Sequence, residues 1–160
     1  MSDDVKKLLV AGKIPLIKFK RNYLAGWWGI PGGKFDSREH LPEAAAREIK
    51  EELGLDASLD QFLGTVDEFA IQENGDTSRP ILFVVTMRAK EAPNTAERDL
   101  PEGTIRWFTR EEIASLESEV VPSDFRIMQD IYFNENHGHY SSKLTRRGKR
   151  ITLEYFDRIG

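Results

Sequence analysis

The chain has 160 residues, of which 39% are hydrophobic, so its length suits one domain with a sizeable core and its composition excludes an intrinsically disordered protein. It contains no cysteine, which excludes disulfides and thiolate metal ligands. The net charge of −4 argues against a uniformly basic surface, so we do not expect nucleic acid as a partner.

We expect a cytoplasmic protein with no membrane partner. No apolar run approaches the roughly 20 residues of a membrane-spanning helix, and the first residues lack the apolar stretch of a signal peptide. The charges are unevenly distributed, because segment 36–60 contains eight acids and three bases whereas segment 143–150 contains five bases and no acid. A local anion-binding patch therefore remains open.

The first third of the chain predicts two strands, an irregular glycine-rich segment and a long helix. Apolar residues alternate in the second strand, and the glycines and prolines of the segment are too many for regular structure. Pro42 fits the first turn of a helix, and Gly54 fits the position that ends one. The predicted elements are the strands Val5–Val10 and Ile14–Lys20, the irregular segment Ala25–Gly33, and a helix from Leu41 or Pro42 to Leu53.

The remaining chain predicts a β-rich region, two helices and a final hairpin. Asn74-Gly75 is a hairpin-turn signal, and Thr109 forms a capping box with Glu112. Strands on both sides of one long helix, followed by further helices, predict a mixed sheet covered on both faces. The predicted elements are the strands Gln61–Ile71, Pro80–Met87 and Thr104–Phe108, a helix from Thr109 to about Leu116, a helix over Asp124–Phe133 capped by Ser123, loops at 91–103 and 134–140, and a hairpin over Lys143–Phe156 turning at Arg147-Gly148.

Three carboxylates mark one face of the first predicted helix. Glu48, Glu51 and Glu52 have the spacing i, i+3 and i+4, which places them within an arc of roughly 100°. A separate apolar stripe can be buried while these acids stay accessible, and it consists of Ala45, Ile49 and Leu53. Clustered acids repel one another unless a cation lies between them. From this spacing alone, a solvated helix face remains the alternative to a metal site.

The segment Gly33–Leu55 matches the Nudix box, G-x5-E-x7-R-E-U-x-E-E-x-G-U with U an aliphatic residue, at every specified position. The chain therefore resembles the Nudix hydrolase family. The resemblance extends over about residues 5–133, because the lead-in Trp28-x-x-Pro31-Gly32-Gly33 and the later Trp107-Phe108 junction also fit. It implies an α+β fold, an α/β/α sandwich with a mixed sheet, to which this chain adds a C-terminal β-hairpin. We expect a single domain over residues 1–160.

The resemblance implies hydrolysis of a nucleoside diphosphate linked to another group, assisted by Mg²⁺ or Mn²⁺. Such hard cations take oxygen ligands and acidify a bound water. Glu51 and Glu52 would be the principal ligands, and Glu48 would be a ligand or the general base, although some relatives place the base on a later loop. Arg47 would orient the glutamates, and Glu39 would assist. The implied catalytic residues are Glu48, Arg47 and Glu39, and the implied metal-binding residues are Gly33, Glu48, Glu51, Glu52 and Glu102, with Glu97 as the second choice for the last.

Two candidates for substrate binding precede the box. Arg21, or Lys20 beside it, could meet a phosphate, although a surface charge is the commoner role of such a residue. Trp27 could stack on a nucleobase, whereas Trp28 is expected in the core. The basic segment Lys143–Arg150 is expected to be a solvated hairpin, with a dimer contact or an additional substrate-binding element as alternatives.

The sequence does not decide the substrate. Residues Ala70–Gln72 carry neither the proline typical of ADP-ribose enzymes nor the tyrosine typical of enzymes for dinucleoside polyphosphates. A nucleoside triphosphate or a nucleotide-sugar is the leading small-molecule partner. Two alternatives are a non-catalytic nucleotide sensor and an RNA-acting decapping enzyme, of which the second is disfavoured by the acidic balance. A homodimer remains open.

Overall fold

A computed structural model describes residues 4–9, 12–36 and 38–160. The strands are β1 (Asp4–Leu9), β2 (Ile14–Phe19), β3 (Trp28–Gly29), β4 (Gly32–Lys34), β5 (Ala57–Ile71), β6 (Thr77–Ser78), β7 (Ile81–Ala89), β8 (Arg98–Leu100), β9 (Gly103–Phe108), β10 (Gly138–Arg147) and β11 (Arg150–Arg158). The helices are α1 (Leu41–Leu53), α2 (Arg110–Ser115) and α3 (Pro122–Arg126), which continues as a π-helical segment, Ile127–Phe133, and there are 3₁₀ turns at Asn22–Leu24 and Glu117–Glu119. Val10, the end of the first predicted strand, lies outside the described residues.

The described residues form two sheets, and one of them is mixed. Its strand order is β11-β10-β5-β7-β1-β4, with β6 paired to β5. In this sheet β7 runs parallel to β1 and β10 runs parallel to β5, whereas the other pairs are antiparallel. The second sheet is antiparallel and has the order β3-β2-β9-β8. The predicted mixed sheet is confirmed.

Helices cover both faces of the mixed sheet. Successive residues of a strand point to opposite faces, so neighbouring strand residues show which helix packs on which face. Val85 of β7 lies in one core cluster and Val84 in the other. Helix α1 joins the first cluster through Ala45, Ile49 and Leu53. The π-helical segment joins the second through Ile127, Met128 and Ile131. This layering confirms the predicted α/β/α sandwich, and within the described ranges no helix is long and apolar enough to cross a membrane.

Local signals define both ends of α1, as predicted. Pro42 lies in the first turn, where a missing N–H costs no intrahelical hydrogen bond. Gly54 ends the helix with φ +67°, a left-handed conformation that glycine adopts without a steric penalty, and its N–H donates to the Lys50 carbonyl at 2.9 Å. The capping box at Thr109 is also confirmed, since its hydroxyl accepts from the Glu112 N–H at 3.2 Å. Trp28 is in the core, edge-on to Phe108 with ring centroids 5.1 Å apart.

Four predictions about local structure are wrong. Segment Ala25–Gly33 is not wholly irregular, because β3 and the start of β4 lie within it and pair with β2 and β1. The 91–103 loop contains β8, which pairs with β9. Ser123 does not cap its helix, since the helix starts at Pro122 and Ser123 is buried in the first turn. The 134–140 loop ends early, because β10 begins at Gly138 alongside Gly64 of β5.

Candidate functional site

A cavity of about 480 Å³ opens beside the acidic face of α1. Its wall on the α1 side carries Glu48, Glu51 and Glu52. The 3₁₀ turn Asn22–Leu24 also lines it. The other lining residues include Asp4, Lys6, Ile17, Phe19, Arg21, Gly32, Gly33 and Glu102. The cavity therefore combines an acidic wall with apolar and cationic surfaces.

Arg47 connects the acids of the box. Its Nε and Nη2 donate to the two carboxylate oxygens of Glu39 at 2.6 and 2.8 Å, a bidentate pair, and this pairing lowers the pKa of Glu39. Its Nη1 donates to Glu48 at 3.1 Å and to both oxygens of Glu51 at 3.3 Å. Nη2 also donates to the Lys34 carbonyl at 3.0 Å, which attaches β4 to the helix. One guanidinium thus orients three glutamates, including the one a turn further along α1.

Of the three α1 glutamates that line the cavity, Glu52 has the least exposed side chain, and it pairs with a lysine from β1. The Nζ of Lys7, a fully buried side chain, donates to Glu52 Oε1 at 2.8 Å and lies 3.9 Å from Glu48 Oε2. Burial raises the pKa of Glu52 to about 7, although the charge of Lys7 opposes the rise. The second oxygen, Oε2, is buried without a hydrogen-bond partner among the described residues. An unpartnered buried carboxylate oxygen indicates a position for a cation.

Gly33 is required by the approach of Glu48. A Cβ atom at this position would overlap the Glu48 carboxylate, so any other residue would force the flexible end of Glu48 to move. Gly33 pairs with Val5 of β1, which places the backbone of β4 directly against the acids. Neighbouring Gly32 is less restricted, because a Cβ there would meet Lys6 Cδ at 3.5 Å, an ordinary contact distance.

Arg21 and Glu102 both line the cavity, as their predicted roles require. Lys20 and Glu97, the alternatives to Arg21 and Glu102, interact with other residues. Lys20 pairs with Asp99 and donates to the Leu100 carbonyl at 3.1 Å. Glu97 forms an ion pair with Arg106 on β9. The structure therefore favours Arg21 over Lys20 and Glu102 over Glu97 as residues that can reach a ligand.

Trp27 is not among the residues that line the cavity, so the structure does not bring it together with the other predicted site residues. Its indole N–H donates to the Lys149 carbonyl in the turn of the C-terminal hairpin at 3.0 Å. Its ring packs against a small core cluster that includes Leu144 and Ile151 of the same hairpin. In an irregular segment, the alternation of residues does not determine where a side chain points. The hydrogen-bond partner of Trp27, Lys149, lies 122 residues away in the sequence.

Lys6 and Lys7 are the site residues that sequence analysis missed. Because they are consecutive on β1, they point to opposite faces of the sheet. Lys7 reaches the acids of α1, whereas Lys6 lines the cavity and pairs with buried Asp124 at 3.3 Å. Burial by itself would lower the pKa of Lys6, but the surrounding carboxylates, Asp124 first and then Asp4 and Glu68, together raise it. The available signal was a pair of lysines between Val5 and the apolar pair Leu8-Leu9, since a lysine buried in such a strand needs a partner.

The carboxylates of the site have the right chemistry to bind a divalent cation, but in this structure they are paired with Arg47 and Lys7. Glu48, Glu51 and Glu52 and the Gly33 backbone offer the hard oxygen donors that Mg²⁺ and Mn²⁺ prefer. Across the described residues, no three histidine or acidic side chains converge closely enough to hold a metal ion as they stand. The unpartnered Oε2 of Glu52 is one donor that could bind a cation without first losing a protein partner.

An acidic helix that faces a cavity on an α/β/α sandwich is the arrangement of a Nudix-type domain. The chain belongs to the Nudix family, because residues 4–131 match the NUDIX domain. Members of this family generally use divalent metal ions. The match ends before β10, so the C-terminal hairpin lies beyond it.

Similar proteins agree with this membership. A Bacillus subtilis protein named "Uncharacterized Nudix hydrolase YvcI" is 31% identical over 105 residues, covering 64% of this chain and 63% of that protein. A Mycobacterium tuberculosis protein named "Putative 8-oxo-dGTP diphosphatase 3" is 32% identical over 95 residues, covering 59% of this chain and 43% of that protein. The matches therefore span less than two thirds of the length of either relative.

Solved structures extend the similarity to the hairpin. The crystal structure of the mutator MutT protein from Bacillus halodurans superposes with a TM-score of 0.69 at 22% identity, covering 98% of this chain and 97% of that one. At this identity the comparison supports the fold alone. Because the superposition covers nearly the whole of both chains, the shared fold extends beyond residue 131, where the NUDIX match ends.

Proposed function

We propose that this protein hydrolyses a diphosphate linkage in a nucleoside diphosphate joined to another group, with Mg²⁺ or Mn²⁺ as the cofactor. One observation carries the proposal: Glu48, Glu51 and Glu52 of the Nudix box line a cavity, and the buried Oε2 of Glu52 has no protein partner among the described residues. A solvated helix face would not need an acid buried against the sheet.

The residues divide into holding and orienting groups. Glu48, Glu51 and Glu52, with the Gly33 carbonyl and Glu102, would hold the cation, which supplies charge neutralisation for the phosphates and an acidified water. Arg47 orients the glutamates through the contacts described above, and Glu39 fixes Arg47 by a bidentate bond. Glu48 could also accept a proton from the attacking water, as could a loop acid such as Glu102.

The cavity suits a nucleotide better than an inorganic diphosphate. Ile17, Phe19 and Leu24 give it apolar surface for a base or sugar, and Lys6 and Arg21 give it cations for phosphate oxygens. The Mycobacterium tuberculosis relative is named for 8-oxo-dGTP, a nucleoside triphosphate. A Methanocaldococcus jannaschii protein named "ADP-ribose pyrophosphatase", after a nucleotide-sugar, is 46% identical over 52 residues, covering 32% of this chain and 31% of that protein. Both classes remain candidates for this chain.

A substrate panel tests the proposal. Purified protein is incubated with nucleoside triphosphates, 8-oxo-dGTP, ADP-ribose and UDP-sugars, each with Mg²⁺, with Mn²⁺ and with EDTA, and the products are separated by ion-exchange chromatography. We expect cleavage of at least one nucleotide that stops when EDTA removes the metal. Nucleotide binding without cleavage under any condition would contradict the proposal and favour a sensor.

A further inference from the structure

The C-terminal hairpin adds to the sheet and also reaches the wall of the cavity. Strand β10 lies parallel to β5, and β11 pairs with β10 and forms the edge of the sheet. The hairpin follows the NUDIX match, which ends at residue 131. Its turn end lies against the segment that follows β2, and the 3₁₀ turn Asn22–Leu24 of that segment lines the cavity.

Arg146 on β10 is the main connection between the hairpin and this turn. Its Nη1 donates to the Tyr23 carbonyl at 2.7 Å and to the Ala25 carbonyl at 3.0 Å. Its Nε donates to the Gly148 carbonyl at 2.8 Å, which fixes the guanidinium against its own hairpin turn. Because a guanidinium is planar and rigid, these bonds determine the position of both carbonyls at once.

Two further hydrogen bonds fix the hairpin turn in place. Trp27 donates from its indole N–H to the Lys149 carbonyl at 3.0 Å. The Gly148 N–H donates to Glu73 Oε2 at 2.8 Å, from the loop between β5 and β6. The hairpin is therefore attached on both sides of Arg146.

The bonds from Arg146 reach the 3₁₀ turn next to Asn22, the residue of the turn with an unfavourable backbone conformation. Asn22 has φ +59°, in the left-handed region that asparagine tolerates better than most residues. Inside the turn, the Leu24 N–H donates to Asn22 Oδ1 at 2.9 Å and the Ala25 N–H to the Asn22 carbonyl at 3.2 Å. A turn this short needs outside partners to keep one conformation.

We propose that the C-terminal hairpin is a substrate-recognition element and that Arg146 is its positioning residue. Arg146 acts through the Tyr23 and Ala25 carbonyls, which set the wall formed by Asn22–Leu24, and does not itself line the cavity. This inference rests on the proposed function, since it takes the cavity as the substrate site. Asn22–Leu24 lines the same cavity as the acids of α1 but contributes none of them, so we assign to it the part of the nucleotide that does not react.

The test compares Arg146→Ala with Arg147→Ala, a neighbouring exposed arginine on the same strand. A mutation that weakens binding of the ground state and of the transition state equally raises KM and leaves kcat unchanged. For Arg146→Ala we therefore expect KM to rise about tenfold, with kcat within about threefold of wild type. Arg147→Ala should keep the wild-type KM. Arg146→Lys, which keeps the charge without the planar fork, should give an intermediate KM.

Amide hydrogen exchange reports the position of the turn independently of activity. The Gly26 N–H donates to the Phe19 carbonyl at 2.8 Å and the Trp27 N–H to the Leu24 carbonyl at 3.1 Å. We expect both amides to exchange about tenfold faster in Arg146→Ala and to be unchanged in Arg147→Ala. Trp27→Phe, which removes the bond to Lys149 and part of the ring that packs against the hairpin but leaves the Arg146 bonds, should produce a smaller increase at the Gly26 amide.

The outcomes separate the two proposals. A wild-type protein that cleaves no nucleotide would overturn the proposed function, while the exchange data would still decide whether Arg146 holds the turn. Unchanged exchange in Arg146→Ala would overturn the positioning role. Faster exchange with an unchanged KM would overturn the role of the hairpin in recognition. If Arg146→Ala does not fold, the same comparisons are made with Arg146→Lys and Trp27→Phe.

Discussion

Lys7 on β1 donates a 2.8 Å hydrogen bond to Glu52 on α1 from a side chain that is completely buried. This bond places a fixed positive charge directly behind the acidic face of the helix. Burial raises the pKa of Glu52 to about 7, and the charge and hydrogen bond of Lys7 act against that rise. Lys7 therefore influences how much of Glu52 carries a charge near neutral pH.

Replacing Lys7 with methionine should raise the pKa of Glu52 above about 7 in protein freed of metal. Methionine keeps an unbranched chain on the apolar face of β1 but removes the charge and the donor that favour the carboxylate. Carboxyl ¹³C NMR titration of labelled protein measures the change. Lys50→Met is the matched control, because it removes an exposed lysine of α1 that pairs with Asp56. A Glu52 pKa that stays constant or falls in Lys7→Met would contradict this account.

Glu52→Gln should lower kcat at least about a hundredfold while the fold survives, because the amide keeps the shape but loses the charge that holds a cation. Steady-state kinetics on a substrate found by the panel gives kcat, and circular dichroism with the Tm reports the fold. Glu43→Gln serves as control, since Glu43 is exposed in the first turn of the same helix. Equal rates for Glu52→Gln and wild type would remove Glu52 from the metal-binding set.

The sequence predicted α1 and its acids well because the determinants are local. Pro42, the helix-forming residues after it and Gly54 define the helix, and helical spacing alone brings the glutamates to one face. Lys7 and Lys6 were missed because their roles depend on which element packs on each face of β1, and strand periodicity does not reveal that partner. Strand β8 was missed for the same reason, since its pairing with β9 is a tertiary contact.

Trp27 shows the limit of reading a ligand-binding residue from its type. A tryptophan beside a glycine-rich segment fits a base-stacking role, but its indole N–H is bound by the hairpin turn. The carbonyl it meets belongs to Lys149, in a segment predicted to be a solvated basic hairpin, with a dimer contact or a substrate-binding element as alternatives. Long-range contacts of this kind carry no signal in either segment alone.

Gly33→Ala should lower kcat at least about tenfold, since the added Cβ would overlap the Glu48 carboxylate and force it away from its neighbours. Kinetics at saturating substrate measures the loss, and the Tm shows whether it comes from unfolding. Gly32→Ala is the matched comparison, because its Cβ would make only an ordinary contact with Lys6, and we expect a much smaller effect. If the two alanine variants lose the same activity, the steric requirement at Gly33 is refuted.

Glu68 on β5 gives the free energy of unfolding a pH dependence that is independent of the acidic helix. Its side chain is buried, and the Ser142 hydroxyl donates to Oε1 at 3.3 Å. Burial raises the pKa of Glu68 from 4.5 to about 7. A carboxyl whose pKa is higher in the folded state favours folding when protonated. Its contribution is therefore complete below pH 4.5 and is lost as the pH rises through about 7.

Glu68→Gln should remove this contribution, because the amide stays neutral at every pH. The difference in free energy of unfolding, variant minus wild type, should increase by about 3 kcal/mol between pH 4.5 and a pH above 7, which is the value of the pKa difference. Urea unfolding at a series of pH values measures it. Glu154→Gln, at an exposed position on β11, serves as the control. A difference for Glu68→Gln that stays constant with pH would mean that Glu68 has the same pKa in the folded and unfolded protein.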